Sequence, residues 1–466
     1  MSATATLTTH VMDQIRDRIT RQQLSQGSRL PSIRAMAEAQ KVSKSTVVEA
    51  YDRLLAEGVI AARRGSGFFV AASHAPLALA DIGPKLDLQV DPLWVSRQSL
   101  ETETDYLKPG CGWLPASWMP EDDIRRSLRT LARSSATNLT EYATPLGYAS
   151  LRQLLSRRLS EHGIEAAPAQ IMVTGSGTQS IDLVCRFLLS PGDTVLVDDP
   201  CYFNFLALLR AHRVTVVGVP VTPSGPDINA FADALITHKP RLYITNSALH
   251  NPTGATLSPV TAHRLLRLAQ AHDLLIIEDD IYADFEHTPA PRLAAFDGLE
   301  RVIHIGSFSK TLSAAVRCGF IAAKPEWIAP LIDLKIATTF SHEPLAAELI
   351  YHLLSSGHYR KHIADVREKL AVLRPVVAGK LAKIGIQPWH MPQAGMLLWC
   401  QLPEEIDASE VARLALTEKV VLAPGNAFSL SQGARSFMRF NIAQMQDARV
   451  YDTLERAMSE SHSLTS

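Results

Sequence analysis

A chain of 466 residues is too long for one ordinary hydrophobic core, so two or more domains are expected. An apolar fraction of 46% with 20% charged residues excludes a disordered or collagen-like chain, and no apolar stretch approaches the length of about 18 residues that a membrane span needs. The formal net charge of -1 gives the whole molecule no electrostatic preference for nucleic acid, but residues 1–72 stand apart with ten Lys/Arg against six Asp/Glu, a local +4.

The five cysteines (Cys111, Cys185, Cys201, Cys318 and Cys400) are far apart, odd in number and form no Cys-x-x-Cys pair. They read as thiols of a reducing cytosol, with neither a disulfide framework nor a metal site. The opening MSATATLTTHVMDQIRDR has no basic segment followed by an apolar run, so no signal peptide is read and a cytoplasmic location is expected.

Residues 8–72 pattern as helices followed by a strand pair. Val11, Ile15 and Ile19 share one helix face. A second helix follows Leu30-Pro31-Ser32, with Ser32 as cap and Ile33, Met36 and Ala37 as the apolar stripe. A third follows Val42-Ser43, carries Val47, Tyr51 and Leu54 on one face, and stops at Gly58. Val59 to Ala62, a glycine-rich turn from Arg63 to Gly67, and Phe68 to Val70 then read as a two-stranded wing.

Such an arrangement can lay one helix in the major groove of DNA. Ser43, Lys44, Ser45 and Thr46 crowd the start of the third helix, where backbone N–H groups and short donors meet phosphates or base edges. Taken singly, Ser43 is equally a helix cap. Arg63 and Arg64 sit where a wing approaches the duplex, and Gly65 and Gly67 permit its tight turn. The landmarks Leu30-Pro31-Ser32-x-Arg34, Val42-Ser43-Lys44-x-Thr46-Val47, Ala50-Tyr51 and Gly65-x-Gly67-x-Phe69-Val70 resemble the GntR-type winged helix. The resemblance implies DNA contacts at Arg34, Lys44, Thr46 and Gly67, and a homodimer on paired half-sites. Lys44 stands where that family more often has Arg, so a phosphate contact is expected there instead of bidentate base recognition.

Residues 73–107, with Pro76, Pro84 and Pro92 and no sustained periodicity, read as a linker with short ordered pieces. From residue 108 to 466, amphipathic helices alternate with apolar strands at Gln170–Thr174, Thr194–Val197, Arg241–Thr245, Leu274–Ile277 and Val302–Ile305. That alternation predicts an α/β domain with a mostly parallel sheet covered by helices.

Several motifs at the strand ends carry chemistry. His304 to Ser307 ends a strand in small hydroxyl residues, then presents Lys310, with Arg317 seven residues on. A lysine nucleophile needs a fixed, partly desolvated position, and hydroxyls beside a guanidinium suit a phosphate dianion. Gly175-Ser176-Gly177-Thr178-Gln179 follows a strand and opens a helix, as a phosphate cradle does. Asp199-Pro200-x-Tyr202 puts an aromatic where a ring stacks, and Asn251-Pro252-Thr253-Gly254 offers an amide to a ring oxygen. A buried strand ends at Glu278-Asp279-Asp280, with Tyr282 three residues after Asp279. A carboxylate paired with a pyridine nitrogen keeps the ring protonated, and Asp279 is the choice for that role.

The combination Asn251-Pro252-x-Gly254, Asp279-x-x-Tyr282, Ser307-x-x-Lys310 and Arg317 resembles a class I aminotransferase of fold type I, over about residues 108–460. The resemblance implies a smaller C-terminal α/β subdomain and pyridoxal 5'-phosphate held on Lys310. It implies Asp279 on the ring nitrogen, Asn251 and Tyr282 on the phenolic oxygen, and Tyr202 on the ring face. Gly177, Thr178, Gln179, Ser307, Ser309 and Arg317 are implied as phosphate ligands, Tyr142 as a residue reaching the neighbouring subunit's phosphate, and Arg439 as a clamp for a carboxylate. Ala314-Ala315 departs from the Pro-Gly often found there, which bears on the fit of Arg317.

A GntR-type module at 1–72, a linker at 73–107 and an aminotransferase-like domain at 108–466 together resemble the MocR subfamily of bacterial regulators. That implies operator DNA, a second copy of the chain, and a small amine, amino acid or B6 vitamer effector as partners. The competing readings are a working aminotransferase with an accessory DNA module and a regulator whose large domain has lost its cofactor. The complete constellation argues against the last, and the intact recognition helix against the former.

Overall fold

The computed structural model describes residues 7–20, 24, 27–63, 66–71, 92–102, 105–134, 139–341, 344–403 and 405–465. The chain divides into two compact units, Met1–Ala78 and Leu79–Ser466.

In the first unit, helices Leu7–Thr20, Ile33–Gln40 and Lys44–Ala56 enclose one small core. Val11, Ile15, Met36, Val47, Tyr51 and Leu54 are buried in it, at the helical spacing read from the sequence. Ser32 and Ser43 cap the second and third helices, accepting from Ala35 N at 3.2 Å and Thr46 N at 3.1 Å. The hydroxyl of Tyr51 donates to Pro31 O at 2.9 Å and so ties the third helix to the entry of the second. Gly58, at φ 71°, ends the third helix with a turn that a side chain would strain. Strands β1 (Ile60–Arg63) and β2 (Gly67–Val70) then pair antiparallel as the wing, closing the core with Ile60 and Val70.

The second unit is built on a sheet of eight strands: β3 (Ile171–Thr174), β4 (Thr194–Asp199), β5 (Thr215–Thr222), β6 (Gly225–Pro226), β7 (Leu242–Thr245), β8 (Leu275–Asp279), β9 (Val302–Ser307) and β10 (Gly319–Ala322). Their spatial order is β3-β10-β9-β8-β7-β4-β5-β6, with β9, β8, β7, β4 and β5 running parallel and β10 antiparallel between β3 and β9. Alternate residues serve opposite cores. Leu196, Tyr243 and Ile276 face the helix Ala149–Glu161 side, while Val195, Ile244 and Ile277 face the side of helix Gly177–Leu188. Both faces are therefore buried, and the strands read as apolar runs without polar alternation. A second, antiparallel sheet, β11 (Gln387–Pro388), β12 (Leu397–Gln401), β13 (Ala423–Pro424) and β14 (Phe437–Asn441), makes the smaller subdomain with its own core.

The expected linker 73–107 has one of its short ordered pieces in its second half. Pro92–Glu101 is a helix, and Val95 is buried against Phe203, Trp399 and Phe428 of the second unit. Leu107 then bridges to Val420, so the second unit begins well before residue 108. A ten-residue helix anchored by one buried face leaves too little periodicity to read.

β10 lies against the loop after β3 so closely that a Cβ on Gly319 would sit 2.6 Å from Ser176 C and 2.7 Å from Gly177 N. Gly319→Ala is expected to destabilise the chain by about 1–3 kcal/mol. Gly379→Ala, in a helix where nothing lies within 4 Å, should be neutral or stabilising. Thermal melts of the two variants check this, and equal midpoints would count against the close packing.

Candidate functional site

The carboxyl ends of the parallel strands bring the motifs to one edge of the sheet, where open α/β sheets bind ligands. Tyr202 follows β4, Asn251 follows β7, Asp279 ends β8, Ser307 ends β9, and the Gly175–Thr178 turn follows β3. One cleft is lined by Ser176, Gly177, Thr178, Tyr202, Asn204, Asp279, Ser307, Ser309, Lys310 and Arg317.

Its phosphate-sized end is built from donors. Ser176 caps helix Gly177–Leu188, leaving the first N–H groups of that helix at the cleft. Ser307 Oγ donates to Cys318 O at 3.1 Å and lies 3.2 Å from Ser309 Oγ. Arg317 is exposed at the rim, with no hydrogen bond or ion pair among the described residues. Gln179 is turned differently from the other members of its motif. Its Oε1 accepts from Gly175 N at 2.6 Å and its Nε2 donates to Thr339 Oγ1 at 3.3 Å, so its side chain braces the turn behind the cleft.

The floor holds Asp279, 4% exposed, whose Oδ1 has no hydrogen-bond partner among the described residues. Burial pushes its pKa up to about 7. Its neighbours in sequence are satisfied within the protein. Glu278 accepts from the N–H groups of Leu293 and Ala294 at 2.7 and 2.9 Å, and Asp280 pairs with Arg292 at 2.9 Å. Burial, aided by the Arg439 charge, lowers Lys310 to about 8, which enlarges its nucleophilic neutral fraction.

Arg439 on β14 is 2% exposed. It donates to Asn251 Oδ1 at 2.9 Å and Gly110 O at 2.6 Å and lies over the Phe428 ring at 4.7 Å. Those are neutral partners: no carboxylate pairs with it among the described residues, and its Nε is unpartnered. Asn251 Nδ2 donates to the Tyr282 hydroxyl at 3.3 Å, joining those two residues to the same corner. A Cβ on Gly112 would stand 3.7 Å from both Lys310 Nζ and an Arg439 nitrogen, so Gly112 keeps open the space between amine and guanidinium. Asn204 and Gly112 were not singled out in the sequence, where no motif marks them. Tyr142 is not in its own chain's cleft; it is 78% exposed and packs edge-on against Phe340 at 4.9 Å.

This donor set fits pyridoxal 5'-phosphate. The unpartnered Asp279 oxygen suits a protonated ring nitrogen, the Asn251–Tyr282 pair a phenolic oxygen, and Ser307, Ser309, Arg317 and the helix start a phosphate.

In the first unit, Lys44 is exposed at the start of the third helix, beside hydroxyls that bond to one another: Ser43 Oγ lies 2.8 Å from both Ser45 Oγ and Thr46 Oγ1. Arg34 is exposed and pairs with Glu38 at 3.2 Å. Gly67, at φ 98°, lies beside exposed Arg29, a guanidinium at the wing that the motif reading passed over. Arg64 and Gly65 lie outside the described residues.

Residues 114–456 match the family of aminotransferases of class I and II, and residues 7–70 match the bacterial regulatory proteins of the gntR family. The HTH-type transcriptional regulator YdcR of Escherichia coli strain K12 is 30% identical over 446 residues, which span 92% of this chain and 94% of that protein. The HTH-type transcriptional regulator NorG of Staphylococcus aureus strain USA300 is 27% identical across 85% of this chain and 92% of its own. Among solved structures, the α-aminoadipate aminotransferase LysN of Thermus thermophilus, complexed with N-(5'-phosphopyridoxyl)-L-leucine, aligns with a TM-score of 0.72 at 25% identity, covering 79% of this chain and 95% of that one. An archaeal alanine:glyoxylate aminotransferase shares the fold, with a TM-score of 0.73 at 24% identity over 84% of this chain and 98% of its own.

Between its ordinary pKa of 3.8 and about 7, folded Asp279 keeps a proton that the unfolded chain has released, so this group makes stability fall as pH rises through that window. Asp279→Asn is expected to remove that fall. Melting the ligand-free chain and the variant from about pH 4 to pH 8 should show the variant gaining on the parent as pH rises. A constant difference would mean that Asp279 titrates normally.

Proposed function

We propose, of a chain that belongs to the class I and II aminotransferase family and carries a gntR-type segment at its N-terminus, that it is a DNA-binding transcription regulator whose large domain holds pyridoxal 5'-phosphate and reads a small amine. The observation that carries this reading is the partnerless Asp279 oxygen in the cleft that Lys310 lines, in a chain that also has a capped recognition helix and wing. The two regulators that match nearly the whole chain support it.

When bound, pyridoxal 5'-phosphate supplies an aldehyde that amines join covalently and a ring that withdraws electrons from them. Lys310 would hold the cofactor through its amine, which near pH 8 is neutral often enough to act as a nucleophile. Asp279 holds a proton at the ring nitrogen, and Asn251 and Tyr282 orient the ring through its phenolic oxygen. Tyr202 covers the ring face. Gly177, Thr178, Ser307, Ser309 and Arg317 fix the phosphate, with Gln179 bracing their turn. Arg439, charged, buried and with no carboxylate paired to it among the described residues, takes the carboxylate of an amino acid effector. The exposed Tyr142 reaches the phosphate of a second copy, which makes the working unit a homodimer acting in the cytoplasm. On operator DNA, Ser43, Lys44 and Thr46 meet the major groove edge and its phosphates. Arg34 adds a backbone contact, and the Arg64–Gly67 turn follows the groove alongside. The completeness of the cleft also favours a second reading, a working transaminase. Turnover of an amino acid with a 2-oxo acid separates the two.

Lys310→Ala should abolish a borohydride-reducible absorbance of the reconstituted chain while its circular dichroism is unchanged. A reducible band surviving in that variant would remove Lys310 from its role.

Lys44→Ala should weaken binding to operator and unrelated duplexes alike and reduce the slope of log K against log salt by about 1. An unchanged slope in a salt titration would exclude a phosphate contact at Lys44.

A further inference from the structure

Lys310 stands on irregular backbone between β9 and β10, where no helix or strand fixes it. The segment is held from behind by helix Gly357–Lys383. Thr311, next in the chain and 1% exposed, is gripped twice: its carbonyl accepts from His362 Nε2 at 2.8 Å, and its Oγ1 lies 3.2 Å from the Tyr359 hydroxyl. Tyr359 gives its one proton to the Asp284 carboxylate, which can only accept, so Thr311 supplies the hydrogen shared with Tyr359. Asp284 is anchored by Arg158 at 2.5 Å, and its backbone carbonyl accepts from Arg367 Nε at 2.7 Å. Asp284 lies two residues beyond Tyr282, on the loop that leaves β8 after Asp279. Neighbouring turns of one helix therefore fix both the lysine loop and the carboxylate loop.

We propose that Tyr359 and His362 are positioning residues for Lys310, holding its amine through Thr311 against the cleft wall and away from bulk water. The inference rests on Lys310 being the reactive amine of the proposed function. Its own charged neighbours, Arg439, Arg317 and Asp279, and the Cys111 thiol, are untouched by changes at 359 or 362. His362 itself faces Asp123, Asp365 and Lys369. A change in the proton affinity of Lys310 in those variants thus reports its hydration and placement.

The test is reductive methylation of the full chain, without cofactor, by formaldehyde and cyanoborohydride across about pH 6 to 11, with modification of Lys310 read by mass spectrometry of its peptide. Only the neutral amine reacts, so the profile gives a midpoint, expected at about 8 in the unaltered chain. Tyr359→Phe and Thr311→Val are expected to raise it by about half a pH unit or more, roughly a threefold gain in proton affinity, as water reaches the loosened amine. Thr311→Ser, which keeps the hydroxyl, should retain the parent profile. An unchanged midpoint in Tyr359→Phe with intact circular dichroism overturns the proposal. Tyr359→Phe removes a single oxygen, so it decides the matter even where Thr311→Val does not fold. Formaldehyde needs no cofactor site, so failure of pyridoxal phosphate to bind would overturn the proposed function and leave this result standing.

Discussion

A carboxylate taken out of water must find hydrogen bonds or a counter-ion, and around the carboxyl edge of this sheet nearly every one does. Asp198 receives the hydroxyls of Tyr243 at 2.5 Å and Thr245 at 2.7 Å, Glu278 receives two backbone N–H groups, and Asp280 shares Arg292 with Glu286. Asp279 alone of this group keeps an unpartnered oxygen. Arg439 is its counterpart, a buried guanidinium over an aromatic ring with no acid paired to it among the described residues. Burial makes both groups costly to leave unmatched, Asp279 at the end of β8 in the large sheet and Arg439 on β14 of the small one. A ligand with a protonated ring nitrogen and a carboxylate relieves both at once. The domain's packing thus accords with the ligand chemistry proposed for it.

How much of this was legible beforehand depended on how local the signal was. The wing, the capped helices and the strand-end motifs are contiguous strings whose spacing is fixed by backbone geometry, and the structure brings Lys310, Asp279, Ser307 and Arg317 to one cleft. β5 escaped notice because it is only partly buried and carries Gly218 and Pro220, and β10 because four residues after an irregular loop give no period. Gly112 matters only through a distance to Lys310 and Arg439, far along the chain, and Gln179 shares a motif with the cleft residues while its side chain turns to Thr339. The grip of Tyr359 on Thr311 spans 48 positions. Tertiary partnerships of that kind leave no trace in periodicity or spacing.

The aminotransferase-like unit distributes its site over both of its sheets. Lys310, Asp279, Ser307 and Arg317 belong to the large one, while Arg439 projects from β14 of the small one. Ligand that touches both is in contact with two cores that pack separately, the arrangement from which closure motions are usually built.

The cluster at the start of the third helix in the first unit has its own consequence. Ser43 Oγ accepts the N–H of Thr46 and simultaneously engages the hydroxyls of Ser45 and Thr46. An anionic oxygen of a nucleic-acid backbone seeks the same N–H groups, at the same positive end of the helix. Phosphate docking there, as proposed above, would exchange one acceptor for another and be close to neutral in the number of hydrogen bonds made. What tips the exchange is the release of condensed cations from the duplex. In the proposed DNA-binding role the serine is a place-holder, keeping the helix wound while its first N–H groups have only the chain's own acceptor.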